Sequence, residues 1–340
     1  MIHDLNDLEE HLSQPTEAAI DVLSRLEGDL LLLGAGGKMG PSLARMALRA
    51  SRSAGVDRRL IAVSRFSDPA TAESLSGAGV EVIRGDLFEP DFVASLPNLP
   101  LVVYMLGMKF GTSTNPSLTW ATNVVVPQLV CRHFQSSRIV AFSSGNVYGP
   151  VAVEPGTGSV EMDVPHPVGE YSMSALGRER MFEYFSQAHG TQVTLLRLNY
   201  ATEMRYGVLV DMAMQIHRGR PIDLTTGFVN TIWQGDANAY AICALEQTTS
   251  PATVLNMTGP GRIGCRAVCE RLAARMNRSV EFVGEEGPTA LLNDSSKIHE
   301  LYGQPRVSLD QLIEWTADWV QRDGPTLEKP THFEVTDGKF

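Results

Sequence analysis

Apolar positions in this chain follow two alternating rhythms. Short continuous runs, Leu30-Leu31-Leu32-Leu33, Leu60–Val63, Val80–Ile83, Leu101–Leu106, Arg138–Phe142 and Val193–Arg197, read as buried strands. Between them, apolar residues recur every three or four positions, as at Leu43, Met46 and Leu48, and longer helical stretches run from about Trp120 to Phe134 and Glu170 to Gln187. Strands alternating with helices of this length predict an α/β fold, a doubly wound parallel sheet with helices on both faces. Residues 4–27 read as one or two amphipathic helices broken near Pro15, with Thr16 as a candidate N-cap, packing outside the sheet.

Two segments depart from the rhythm. Residues 149–169, rich in Pro, Gly and acidic side chains, predict a long loop above the carboxyl ends of the strands. Beyond Leu198 the pattern becomes irregular: a helix near Val208–Arg218, a strand-like Val229–Trp233, a helix over Asp236–Glu246, a strand over Thr253–Met257 and a helix over Arg266–Met276. The division expected is an N-terminal helical extension (1–28) and a nucleotide-binding domain (29–200) to which elements of about 229–257 return. A smaller lid (201–228 and 258–330) and a tail (331–340) complete it, and the stretch after Asp323 is expected to be loosely ordered.

Composition narrows the partners. A net charge of −11 gives no basic footprint for nucleic acid. No apolar run approaches a membrane span, and Met1-Ile2-His3-Asp4-Leu5 lacks the pattern of a secretory signal, so a cytoplasmic protein is expected. Cys131, Cys243, Cys265 and Cys269 are too scattered for a disulfide framework or a metal set and read as buried small side chains.

Chemistry concentrates after the first strand. Gly34-Ala35-Gly36-Gly37-Lys38-Met39-Gly40 places glycine at three-residue intervals between an apolar run and a helix. Such a loop suits a pyrophosphate: glycine permits the tight turn and close backbone approach, and the helix N-terminus offers free N–H groups. A glycine-rich corner without a ligand is the alternative; the strand before and helix after favour a dinucleotide. At the end of the second strand stand Ser64 and Arg65, with no carboxylate before Asp68. A hydroxyl and a guanidinium suit the 2′-phosphate of NADP better than the bare ribose of NAD, and Lys38 could add charge there, unless both cations are simply solvated. NADP is therefore the coenzyme expected first, NAD second. Asp86 in Gly85-Asp86-Leu87 either reaches an adenine amino group or closes its own turn. Leu106 and Gly107 end the fourth strand where backbone can lie along the cofactor, and Asn123 is a polar residue in an apolar helix, able to bridge backbone or water.

In this order, the glycine loop, Gly85-Asp86-Leu87, Asn123, Ser143-Ser144-Gly145-Asn146-Val147-Tyr148-Gly149, Gly169-Glu170-Tyr171 with Ser174, and Glu179 resemble the extended short-chain dehydrogenase/reductase family, also called the NAD-dependent epimerase/dehydratase family. The resemblance covers about residues 29–320. It implies a Rossmann domain with a C-terminal substrate lid, hydride transfer on sugars, nucleotide sugars or related carbonyl compounds, and homodimers formed through the two long helices. It implies Tyr171 as proton donor and acceptor at the substrate oxygen and Ser144 as the hydroxyl that orients that oxygen. Asn146, Asn199 and Arg205 fall where the family builds its substrate wall; Arg205 either holds an acidic group of the substrate or forms an ion pair.

One element of the motif is missing. The family places a lysine four residues after the tyrosine, and here Tyr171-Ser172-Met173-Ser174-Ala175 ends in alanine. A free phenol ionises only near pH 10, so on the order of one in a thousand is ionised at neutrality. Lys109, just after the fourth strand, is the first candidate for a replacement cation. Two other readings stay open: a tyrosine used only as an acid, or a nucleotide-binding protein without turnover.

Overall fold

A computed structural model describes residues 1–335; the end of the expected tail, residues 336–340, lies outside the described residues. Seven strands form the central sheet: β1 (Leu30–Leu33), β2 (Leu60–Ser64), β3 (Glu81–Arg84), β4 (Leu101–Tyr104), β5 (Arg138–Ser144), β6 (Gln192–Leu198) and β7 (Thr253–Met257). All pair in parallel, in the order β7-β6-β5-β4-β1-β2-β3. The chain winds outward from β1 in one direction, then restarts at β4 in the other, so the carboxyl ends of β1 and β4 diverge into a cleft at the switch point.

The leucine run of β1 serves both faces because side chains alternate along a strand. Leu30 and Leu32 join a core with α2 (Glu17–Arg25), α3 (Gly40–Ser53) and α10 (Gln234–Cys243), while Leu31 and Leu33 pack toward α7 (Val126–His133) and α8 (Gly169–His189). Thr16 caps α2, its Oγ1 accepting from the Ala19 N–H at 3.1 Å. The expected helix over 120–134 is broken into α6 (Pro116–Trp120), a π-helical turn (Ala121–Val125) and α7; the π turn carries Asn123. β7 is the element of the C-terminal third that returns to the sheet, beside β6.

A second core gathers α1 (Leu5–Leu12), α9 (Val208–His217), α11 (Cys265–Arg275) and α13 (Leu309–Gln321) through Leu8, Leu12, Met212, Cys269 and Trp319. The stretch after Asp323, expected to be loose, instead packs back onto this core: Phe333 is buried in it, and the Thr331 N–H and hydroxyl both donate to Asp211 Oδ2, at 2.8 and 2.6 Å. Alternating buried side chains at Thr331 and Phe333 are too short a pattern to mark an element in the sequence. All four cysteines are buried. Among the described residues no helix is long and apolar enough to cross a membrane.

Candidate active site

The turn after β1 is held by the sheet itself: the Gly34 and Ala35 N–H groups donate to Val63 O at 2.8 and 3.1 Å. Gly34 has φ +86°, and a Cβ there would stand 2.8 Å from the Leu106 backbone nitrogen. Both constraints require glycine. Gly36 lies against the Ser64 hydroxyl and Gly40 against the Ala35 carbonyl, whereas a Cβ on Gly37 would meet nothing closer than Gly34 O at 3.5 Å. The loop therefore presents an open face at Gly37. Beyond it, α3 starts at Gly40 with no side-chain cap on its first N–H groups. Orphan amides at a helix start facing a cleft are what an anionic phosphate completes, so the residues present fit a dinucleotide.

The cleft has a volume of about 1340 Å³ and is bordered by Gly36, Gly37, Lys38, Met39, Gly107, Lys109, Ser144, Asn146, Tyr171, Tyr200 and Tyr206. It thus joins the glycine loop to Ser144 and Tyr171. Ser144, at the end of β5, is nearly buried; its hydroxyl donates to Asn146 Oδ1 at 3.0 Å and accepts from the Asn146 N–H at 3.2 Å. Tyr171 occupies the first turn of α8 and borders the same cleft as Tyr200 and Tyr206. Tyr200 holds φ +47°, a strained backbone for a bulky residue at the wall of the site.

Several of the expected site residues have partners within the protein. Lys38 does not reach toward the 2′-position of an adenosine. Its Nζ turns the other way, donates to Ala201 O at 3.2 Å and lies 3.7 Å from the centroid of the Tyr206 ring. Burial pushes this amine down to about 7; Glu203 pulls the other way, and Lys109 and Arg205 add to the shift. Asp86 is a turn residue: its Oδ1 accepts from the Phe88 N–H at 3.0 Å, and Oδ2 is 3.9 Å from Arg65. The Leu87 side chain is buried in the core. Asn199 is buried at the border of the cleft and ties the sheet to the lid, donating to Asn230 Oδ1 at 3.0 Å and Leu291 O at 3.1 Å. Arg205 is ion-paired with Glu203 at 3.0 Å and with Glu9 of α1 at 2.9 Å, and it also borders the cleft. For Lys38, Asn199 and Arg205 the partner is distant in sequence, so no local pattern announces it.

Other residues stand near their expected places. Arg65 is exposed at the end of β2. Lys109 borders the cleft, donates to Thr331 O at 3.2 Å and lies 5.8 Å from the Tyr200 ring; burial lowers its amine to about 8. Asn123 is fully buried and bridges backbone, taking the Met108 N–H at 2.9 Å and giving to Met108 O at 3.0 Å. It does not itself line the cleft. Sequence reasoning missed Arg178, whose Nη2 donates to Asn123 Oδ1 at 2.5 Å and Nη1 to Phe142 O at 2.9 Å. Its spacing of seven from Tyr171, two helical turns, was the available signal.

A sequence model of the NAD dependent epimerase/dehydratase family matches residues 30–236. The chain belongs to that family. No curated protein matches it by sequence. Among solved structures, it resembles UDP-glucuronic acid 4-epimerase from Bacillus cereus in complex with UDP-glucuronic acid and NAD, with TM-score 0.71, 17% identity, 86% of this chain and 99% of that one covered. It also resembles UDP-glucose 4-epimerase from Thermotoga maritima with UDP-glucose (TM-score 0.71, 17% identity, 87% and 99% covered). A third is dTDP-glucose 4,6-dehydratase from Bacillus anthracis in complex with NAD (TM-score 0.72, 13% identity, 87% and 97% covered). The glycine loop, Ser144 and Tyr171 fall within the segment that the family model matches.

Proposed function

We propose that this protein binds a nicotinamide dinucleotide across β1 and β4 and interconverts an alcohol and a ketone on a nucleotide sugar or a related sugar. The observation that carries this is one cleft bordered by both the uncapped glycine loop and the Ser144–Tyr171 pair. Gly36, Gly37 and the first N–H groups of α3 would hold the pyrophosphate, with Leu106 and Gly107 along the nicotinamide half. When bound, the coenzyme supplies the hydride acceptor and donor. Tyr171 exchanges a proton with the substrate oxygen, and Ser144 turns its hydroxyl from Asn146 to that oxygen and fixes its direction. Lys109 contributes positive charge from the loop after β4, at the border of the cleft.

NADP remains our preferred coenzyme on the strength of Arg65 and the absence of a carboxylate at the end of β2, although the similar structures hold NAD. Lys38 no longer supports that preference. Arg65→Ala should raise KM for NADP more than for NAD; an equal change in both withdraws the preference. We also propose a homodimer through α6, α7 and α8.

The deciding experiment incubates purified protein with NAD or NADP and a panel of UDP- and dTDP-linked sugars and sugar acids. Formation of reduced coenzyme is followed by absorbance and product by chromatography. Turnover should fall by about a hundredfold or more in Tyr171→Phe. Tight coenzyme binding without turnover on any of the panel would make the protein a nucleotide-binding member of the family instead.

A further inference from the structure

Position 175, where the family carries lysine, holds a fully buried alanine among Val147, Tyr148 and Leu176. Seven residues beyond Tyr171 on the same face of α8 stands Arg178. Side chains on a helix lean toward its N-terminus, so the guanidinium is carried back toward the turn of the missing lysine. There it ties β5 to Asn123 of the π-helical turn. Nη1 donates to Phe142 O of β5 at 2.9 Å, and Nη2 donates to Asn123 Oδ1 at 2.5 Å. Asn123 in turn clamps Met108, just past β4, and donates to Ser174 Oγ at 2.9 Å; that hydroxyl donates to Tyr171 O at 2.9 Å. One guanidinium thus connects the floor of the cleft with the turn that presents the phenol.

Two further observations separate Arg178 from an ordinary buried arginine. A Cβ on Gly107 would collide with its Nη2, so only the backbone of an exposed, cleft-lining glycine lies between the charge and the space above. Arg178 is also 5% exposed, yet among the described residues no carboxylate pairs with it, whereas Arg197, equally buried, has Glu179. A buried cation held only by carbonyl oxygens keeps its field uncancelled, and that field acts on whatever occupies the cleft.

We propose that Arg178 is a positioning residue that supplies, from beneath Gly107, the positive charge absent at position 175, and holds Tyr171 in register through Asn123 and Ser174. This rests on the reading of the cleft as a nicotinamide site. The oxidised nicotinamide ring is cationic and the reduced ring neutral, so a cation below the cleft weakens binding of the oxidised form relative to the reduced one. That bias favours hydride acceptance from substrate.

The test is an equilibrium one. Dissociation constants for the oxidised and reduced forms of NAD and NADP are measured by calorimetry or by coenzyme fluorescence on wild type, R178K, R178Q and R178M. The ratio Kd(oxidised)/Kd(reduced) should fall about fivefold or more in R178Q and R178M and stay within about twofold in R178K. A purely structural arginine would weaken both forms together and leave the ratio unchanged; that result in folded variants overturns the proposal. If the Arg178 variants fail to fold, G107A decides, because its methyl group displaces the guanidinium while keeping the charge in the chain. The ratio should fall there too, and an unchanged ratio overturns the proposal. Failure of the wild type to bind any of the four coenzymes would remove the nicotinamide reading itself, and this inference with it, a result distinct from binding with an unmoved ratio.

Discussion

Lys38 is the residue whose environment departs furthest from what its place in the sequence suggests. It belongs to a phosphate-type loop, yet its amine is buried against Ala201 O and the Tyr206 ring, and burial lowers it to about 7. The unfolded chain keeps the lysine protonated up to about pH 10.4, so between about pH 7 and 10.4 the unfolded state binds more protons than the folded one. Stability contributed by this group therefore rises with pH across that window, by at most about 1.4 kcal/mol per pH unit, and levels off above it. Below about pH 7 both states are protonated and the burial penalty is fully present. The expected outcome is that Lys38→Met is more stable than wild type at pH 7 and that the difference shrinks as pH approaches 9.5, measured by urea unfolding at several pH values. A pH-independent difference would mean that the amine stays charged, satisfied by Tyr206 and Glu203. The direction of this side chain could not be read beforehand, because a glycine-loop pattern constrains backbone and leaves the side chain free to choose either wall of the cleft.

At the scale of elements, α8 is joined to β6 by an ion pair buried in the sheet–helix interface. Glu179, fully buried, accepts from Arg197 Nε and Nη2 at 2.9 and 2.7 Å and from the Ser143 hydroxyl, and the Arg197 guanidinium lies 4.6 Å from the centre of the Tyr148 ring. Removing one partner leaves the other charge buried and uncompensated. Glu179→Gln or Arg197→Met should each lower unfolding free energy by about 3–5 kcal/mol, while a double apolar replacement, Glu179→Leu with Arg197→Leu, should cost much less than the sum. Additive losses in a double-mutant cycle would show that the two side chains act separately. The same elements mark what the sequence displays and what it conceals. The apolar runs at 30–33, 101–106 and 193–197 already announce a parallel sheet, and the glycine spacing announces the turn above it, because both are local patterns of period and residue type. The Asn123–Arg178 bridge, the Glu9–Arg205 pair and the return of Thr331 to Asp211 join elements far apart in the chain. No period or motif encodes such pairings; they follow from where the folded sheet and lid bring helix faces together.

For the whole molecule, the open question of assembly turns on the outer faces of the two long helical segments. Met173 and Tyr184 lie eleven residues apart on α8, a spacing that places both on one helix face, and Leu118 of α6 and Val125 of the π-helical turn belong to the neighbouring segment. All four are exposed, by 43, 47, 46 and 57% of their surface. Trp120 between them donates its indole N–H to Glu170 Oε2 at 2.6 Å, which locks the two helices side by side into one apolar surface. A single charged residue in such a surface would meet its own copy or an apolar neighbour across a two-fold axis, and either costs more than the patch gains. If the patch is the dimer contact, Val125→Glu combined with Tyr184→Glu should shift the particle from twice the chain mass of 37.1 kDa to a single copy in light scattering, with the thermal transition of the isolated chain retained. Because Tyr171 sits in the first turn of the same helix as Met173, separating the copies should also loosen the cleft and raise KM more than it lowers kcat. A variant that stays at twice the chain mass would assign this surface to solvent and move the contact elsewhere; wild type that is already a single copy would dispose of the dimer altogether.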